Sequence, residues 1–215
     1  MVFRVLSTNI AVPRPDPGGA ERLSGIDKQP RPSIDVAAPG PSYGDGSGVA
    51  GDLIGDVKHH GGAQKAVYAF ERAELDHWGA ELGRTFDNGA FGENLTVTGW
   101  DLSRVLINQR VRIGTAELEV SVVRQPCRTF AGWVGEPGWV RKFSRRGYCG
   151  AYFRVAVPGR ISAGDEIALL GTPSHDVDML TAFRAAQGDK EAARRVVDAA
   201  CMPEMYHQRM LRLLA

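Results

Sequence analysis

The sequence has no long apolar run, no excess of charge and few cysteines. Its 215 residues carry 26 lysines and arginines against 25 aspartates and glutamates. A net charge of +1 gives no general attraction to nucleic acid or to an anionic membrane, and leaves only a local basic pocket open. No stretch approaches the roughly 20 apolar residues that a membrane-spanning helix needs. Met1 to Ile10 lacks the basic segment, apolar stretch and small-residue cleavage site of an export signal, so the expected location is the cytoplasm. The three cysteines, Cys127, Cys149 and Cys201, do not make a disulfide framework, and no CxxC pair points to structural zinc. Flavin, haem and iron–sulfur motifs are missing, as are internal repeats.

What remains is the composition of an ordinary folded chain, 43% hydrophobic and 24% charged. Val2 to Ile10 reads as a strand. Residues 13–51, crowded with Pro, Gly, Ser and Asp, exclude a long helix and predict loops or edge strands, with Ser33–Val36 the most strand-like piece. Ala66 to Phe70 has strand character. Glu71 to Leu82 reads as a helix stopped by Gly83, with Leu75, Trp78 and Leu82 on one face. Beyond it, Leu95–Val97, Val105–Ile113, Ala116–Val123, Tyr152–Val157 and Glu166–Leu170 are short strands separated by turns, which predicts a barrel or curled sheet. A helical insert is expected over Gly132–Phe143. After Ser174 three short amphipathic helices follow, capped by Asp176, by Asp189 and opened by Pro203. The expected architecture is mainly β with helices: a barrel domain over residues 1–170 and a three-helix unit over 176–215.

Four segments carry chemistry. His60-Gly61-Gly62, followed by Lys65, offers a tight turn whose free amides and lysine suit an anion; an ordinary turn before a strand is the competing reading. His59 and His60 are adjacent, and neighbours on a strand face opposite ways, so one metal is not expected to take both. Phe91-Gly92-Glu93-Asn94 is a turn with a carboxylate and an amide in it. Arg124-Gln125-Pro126-Cys127-Arg128 sets a thiol between two arginines on a polar loop, where positive charge favours a thiolate, the soft ligand of a metal such as molybdenum. A buried structural cysteine, or a cysteine nucleophile with His60 as its base, are the alternatives. Arg145 to Val155 has a basic lead and glycines beside Cys149, which is the less persuasive ligand. Cys201, in the helical tail, is expected to serve packing.

Taken in order, these segments resemble the MOSC domain family, in its YiiM-type branch with a C-terminal three-helix unit. The matching run passes through Ser24 to Lys28, Gly51-Asp52, His60-Gly61-Gly62, Lys65-Ala66-Val67, Phe91 to Leu95, Arg124 to Cys127, Gly150, Tyr152 to Val155 and Gly164-Asp165. The resemblance implies a β-barrel holding the molybdenum cofactor, a molybdopterin, with Cys127 as catalytic thiol and protein ligand to the metal. His60, Gly61, Gly62, Lys65, Asn94, Arg124 and Lys28 would then line the cofactor and its phosphate. It also implies reduction of N-hydroxylated compounds such as hydroxylamino-purines, a detoxifying reaction whose electrons come from a separate flavin-containing reductase. Small-molecule substrates are thus expected, rather than nucleic-acid polymers or membranes, and a homodimer is left open. Two departures from the family pattern stand out: Ile107 to Arg110 lacks a usual Gly-Asp, and Cys149-Gly150-Ala151 replaces a common Thr-Gly-aromatic.

Two further classes of function compete. Cys127 would carry a persulfide or pass on the cofactor without catalysis in a carrier, although no aminotransferase-like, pyridoxal-phosphate-dependent domain accompanies it. A cysteine hydrolase would need a histidine held by a carboxylate near Cys127, and only His60 offers itself.

Overall fold

Apolar residues at every second position, bounded by Gly, Asn and Pro, form strands that bury one face. The computed structural model, which describes residues 2–215, is built mainly on such strands. β1 (Arg4–Ala11) opens the chain. The breaker-rich stretch after it yields short edge pieces only: β2 (Arg14–Pro15), β3 (Leu23–Ser24), β4 (Lys28–Arg31) and β5 (Ser33–Val36). β6 (Val67–Glu71) runs straight into α1 (Arg72–Leu82), which ends where Gly83 turns left-handed at φ 63°. Then come β7 (Leu95–Thr98), β8 (Arg110–Ile113) and β9 (Ala116–Val120). α2 (Arg128–Val134) and α3 (Trp139–Arg146) precede β10 (Ala151–Val157), β11 (Gly159–Ser162) and β12 (Ile167–Leu170). The tail holds α4 (Met179–Ala186), α5 (Lys190–Asp198) and α6 (Glu204–Leu214). Among the described residues no helix is long and apolar enough to cross a membrane.

Eight strands make one sheet in the order β12-β8-β9-β10-β6-β7-β1-β4. Its pairs are antiparallel except β6 with β7, where α1 lies in the crossover that parallel strands require. The sheet curls back on itself: Arg4 bridges Glu166, and the Ile167 amide donates to the Phe3 carbonyl at 2.9 Å. The mainly β architecture with helices is therefore as expected, and β8 and β9 show the alternating burial of a one-sided sheet.

Some boundaries differ, each for a local reason. The strand predicted over Val105–Ile113 begins only at Arg110, because Leu102–Arg104 forms a 3-10 turn and Asn108 takes a left-handed φ of 65°. Asparagine tolerates that conformation, and its side chain then works: Asn108 donates to the Cys201 carbonyl at 2.9 Å and accepts from Arg154 at 2.6 Å. The turn that departs from the family pattern thus docks the helical tail onto the sheet. The predicted insert over Gly132–Phe143 splits into α2 and α3 at Gly135 and Gly138, both with positive φ. Asp178, not Asp176, caps α4, its carboxylate accepting from the Thr181 amide, while Asp176 pairs with Arg195.

An aromatic core fixes α2. Phe91, Phe130, Trp139 and Phe143 are fully or almost fully buried, and the Phe130 ring sits 5.1 to 5.4 Å from the other three, edge to face. Because Phe130 anchors the first turn of α2, the residue capping that helix, Cys127, is held in a set position.

Candidate functional site

Beyond β9 the chain stays extended but leaves the ladder after Val122, whose carbonyl accepts from the Tyr152 amide. It then delivers Arg124 and Cys127 to a place where two cavities meet. One lies on the barrel side and is lined by Lys28, Asp52, Tyr68 and Asn94, among others; the other lies between the barrel and the tail helices. His60, Lys65, Arg124, Cys127 and Tyr152 line both. Cys127 is half-buried, whereas Cys149 and Cys201 are buried and line neither cavity. Burial pushes their thiols up to about 12 and about 11, which keeps both protonated and poorly reactive.

The Cys127 sulfur accepts from the Phe130 amide at 3.5 Å, so the thiol itself caps α2. Around it are three basic side chains in different states. Arg124 is 5% exposed, with its guanidinium carbon 3.7 Å from the centre of the Phe130 ring. Among the described residues, its five N–H donors make a single side-chain hydrogen bond, to the Tyr68 hydroxyl at 3.4 Å. Lys65 donates to the His59 carbonyl at 2.7 Å and lies over the Tyr43 and Tyr152 rings. Its ammonium is lowered to about 8, first by burial and then by the charge of Arg209. His60, lowered to about 3 by burial and then by Lys65 and Arg124, is neutral, with Nδ1 3.4 Å from the Tyr152 hydroxyl. Burial holds the Tyr152 phenol up at about 12.

Lys28 and Asn94 are present on the barrel side, but they are engaged. The Lys28 ammonium donates to both oxygens of Asp52, at 2.7 and 2.6 Å, in a pair 7% and 1% exposed. Asn94 donates to Asp52 at 2.9 Å and to the Asn9 carbonyl, and accepts from the Tyr68 amide. Burial opposes the Asp52 charge, yet Lys28, Asn94 and the Ala11 amide together hold its carboxyl below 3.8. The cluster ties β1, β4, β6 and the start of β7 to the loop at Gly51. Glu93 is likewise structural: fully buried, it accepts from the Gly89 and Phe91 amides and from Thr96.

Gly61 and Gly62 are not in either cavity wall. Their left-handed backbone serves a close approach to the preceding loop, since a Cβ on Gly62 would lie 2.1 Å from the Ser42 carbonyl oxygen. Three amides of the turn are spent: Gly62 donates to Gly46, Ala63 to Gly40 and Lys65 to Gly62. His59 is exposed, pairs with Asp56 and lines the helix-side cavity together with His60. Among the described residues no three His, Cys, Asp or Glu side chains converge to hold a metal by themselves.

Several site residues carry no role in the sequence reading. Tyr68 and Tyr152 stand in strands whose pattern signals only burial. Asp16 accepts from Arg22 at 2.7 Å and Thr129 at 3.0 Å, linking the β2–β3 hairpin to α2 across more than 100 residues. Tyr206 and Arg209 reach the helix-side cavity from α6, and only the packing of the tail brings them there.

A family model described as MOSC domain matches residues 56–168. The Bacillus subtilis protein YflK is 33% identical over 208 residues, 95% of this chain and 91% of that protein. A Gibberella moniliformis protein named as a reductase is 29% identical over 168 residues, 76% of this chain but 30% of the fungal protein's length. The crystal structure of YiiM from Geobacillus stearothermophilus superposes with a TM-score of 0.79 at 25% identity, covering 99% of this chain and all of that one. With more than half its length inside the family model and the same fold as a YiiM, the chain belongs to the MOSC domain family.

Proposed function

We propose that this protein is a molybdenum-cofactor-dependent reductase of N-hydroxylated compounds, hydroxylamino-purines among them, acting in the cytoplasm with Cys127 as the metal's protein ligand. The observation that carries the reading is the position of Cys127: the half-buried thiol where both cavities meet, beside Lys65, Arg124 and neutral His60. The donor set suits a group that brings its own sulfur ligands and a phosphate. It offers one thiol rather than the three or four ligands of a bare metal site, and soft sulfur is the appropriate partner. Arg124, buried with no carboxylate partner among the described residues, calls for an anion in the same place. The fungal relative is named a reductase, which supports the direction of the chemistry.

Cys127 would hold the metal, and Lys65, Arg124 and His60 the phosphate and ring system; Lys28 and Asn94 would shape the barrel-side wall through Asp52. When bound, the cofactor would supply two-electron oxygen-transfer chemistry, with electrons restored by a separate flavin-containing reductase. Cleaving the N–O bond of R–NHOH to R–NH2 and water takes two electrons and two protons. At neutral pH the Lys65 ammonium is largely protonated and next to solvent-accessible space, so it donates a proton and refills from water. The Tyr152 hydroxyl, held protonated, orients the substrate's oxygen, and the neutral His60 ring accepts or donates beside it.

The test is turnover of an N-hydroxylated purine by protein from cofactor-producing cells. Cys127→Ser is expected to abolish it while the circular-dichroism spectrum and unfolding midpoint change little, since a half-buried capping thiol contributes little packing. Unchanged turnover by that variant would sink the mechanism.

A further inference from the structure

The helix-side cavity has an unusual wall. It encloses about 440 Å³, within the range of small-molecule sites. Tyr43, Tyr152 and Tyr206 supply aromatic faces and Met210 an apolar one, while Lys65 and Arg209 bring charge from opposite sides. Among the described residues no aspartate or glutamate lines it. The barrel-side cavity is different: Asp16, Asp52 and Asp56 line it and are paired with Arg22 and Lys28.

The two facing cations are held by aromatic rings rather than by carboxylates. Lys65 lies 4.8 Å from the Tyr43 ring centre, and the Arg209 guanidinium 5.2 Å from that of Tyr206. Arg209 makes no ion pair among the described residues, and its side-chain contact is with the Met205 sulfur at 3.7 Å. Tyr43 and Tyr206 are joined through their hydroxyls, so loop and helix present the two cations as one unit. Cations resting on aromatic faces keep their N–H donors for a ligand, and arginine offers a planar fork that fits an oxyanion.

Resting on the reductase reading above, we infer that this cavity is the substrate site and that Arg209 selects N-hydroxylated aromatic compounds bearing a carboxylate or phosphate. The ring lies among the tyrosines and Met210, the oxyanion meets Arg209, and the N-hydroxy group points to the wall shared with Cys127 and Lys65.

The test compares N-hydroxybenzamidine with its 4-carboxy derivative, a pair that differs by one negative charge. Binding is measured by calorimetry, and turnover separately, on wild type, Arg209→Gln and Arg209→Lys from cofactor-producing cells; binding is repeated on protein from cells that make no cofactor. Arg209 is exposed, so these variants keep the fold. The carboxylate is expected to tighten binding by about tenfold, the scale of one charged hydrogen bond, with most of that gain lost in Arg209→Gln and regained in Arg209→Lys. Such discrimination in binding without turnover of either compound would uphold the anion site and defeat the reductase reading. Equal binding of the two compounds to wild type, or an equal loss for both in Arg209→Gln, would overturn the inference. So would binding of the carboxylate only to cofactor-free protein, which would give the cavity to the cofactor's own phosphate.

Discussion

Replacing Lys28 by methionine removes one half of a nearly solvent-free ion pair and leaves the Asp52 carboxylate stranded. Breaking a buried pair from one side costs about 3–5 kcal/mol, because the remaining charge is desolvated without compensation. Asn94 and the Ala11 amide still donate to Asp52, which places the expected loss at the lower end, about 3 kcal/mol. At about 2.1 cal/mol/K per residue, a chain of this length loses roughly 2 °C of Tm per kcal/mol, so the midpoint should fall by roughly 6–7 °C. The pH dependence has a definite sign. Asp52 is held below 3.8 in the folded state, so its contribution is present above that value and is lost as pH falls below it. In Lys28→Met the carboxyl rises instead, and the deficit against wild type should shrink as acid neutralises Asp52. Urea unfolding at pH 7 and pH 4.5 measures both. A loss under 1 kcal/mol at pH 7, or a deficit that grows in acid, would refute the description of Lys28 as a structural partner of Asp52.

Gly62→Ala should destabilise the protein by more than the about 1–3 kcal/mol of its backbone conformation alone, because the added Cβ meets the Ser42 carbonyl oxygen at 2.1 Å; a neutral unfolding midpoint would contradict this. Turnover that uses the Lys65 ammonium should fall on the alkaline side, above about 8 because a bound phosphate would hold the proton more tightly, and Lys65→Met should leave a slower reaction without that alkaline limb in a pH–rate profile. Glu71, raised to about 8 mainly by burial, binds its proton more tightly folded than unfolded, so stability should decline as pH rises from 4.5 to about 8. Glu71→Gln should remove that decline in thermal melts taken across this window.

The fold was legible where hydrophobic period and breakers agree. Leu75 and Trp78 before Gly83 mark α1, and alternation marks β8 and β9. Boundaries set by tertiary contacts were not: Asn108 turns left-handed because its side chain docks the tail, and Asp178 displaces Asp176 as a cap because Asp176 faces Arg195. In the site, Cys127 and Arg124 stand out because a thiol between arginines on a polar loop is chemically odd. Gly61 and Gly62 take the positive φ expected of a tight turn, and loop 40–46 packs against them, a contact with no local signal in the sequence. The pairing of Lys28 with Asp52 was not legible, because the two lie 24 residues apart with nothing local to pair them. Arg209 carries no signal of a site in a basic-apolar helix until the helix is docked.

The most direct test of the account is the molybdenum content of protein purified from cofactor-producing cells, wild type against Cys127→Ser. Near-stoichiometric metal in the wild type and its loss in the variant are predicted, with Cys201→Ser retaining it. No metal in either protein, or equal metal in both, would contradict the assignment of Cys127 as ligand, and persulfide on Cys127 in the metal-free case would turn the reading to a sulfur carrier.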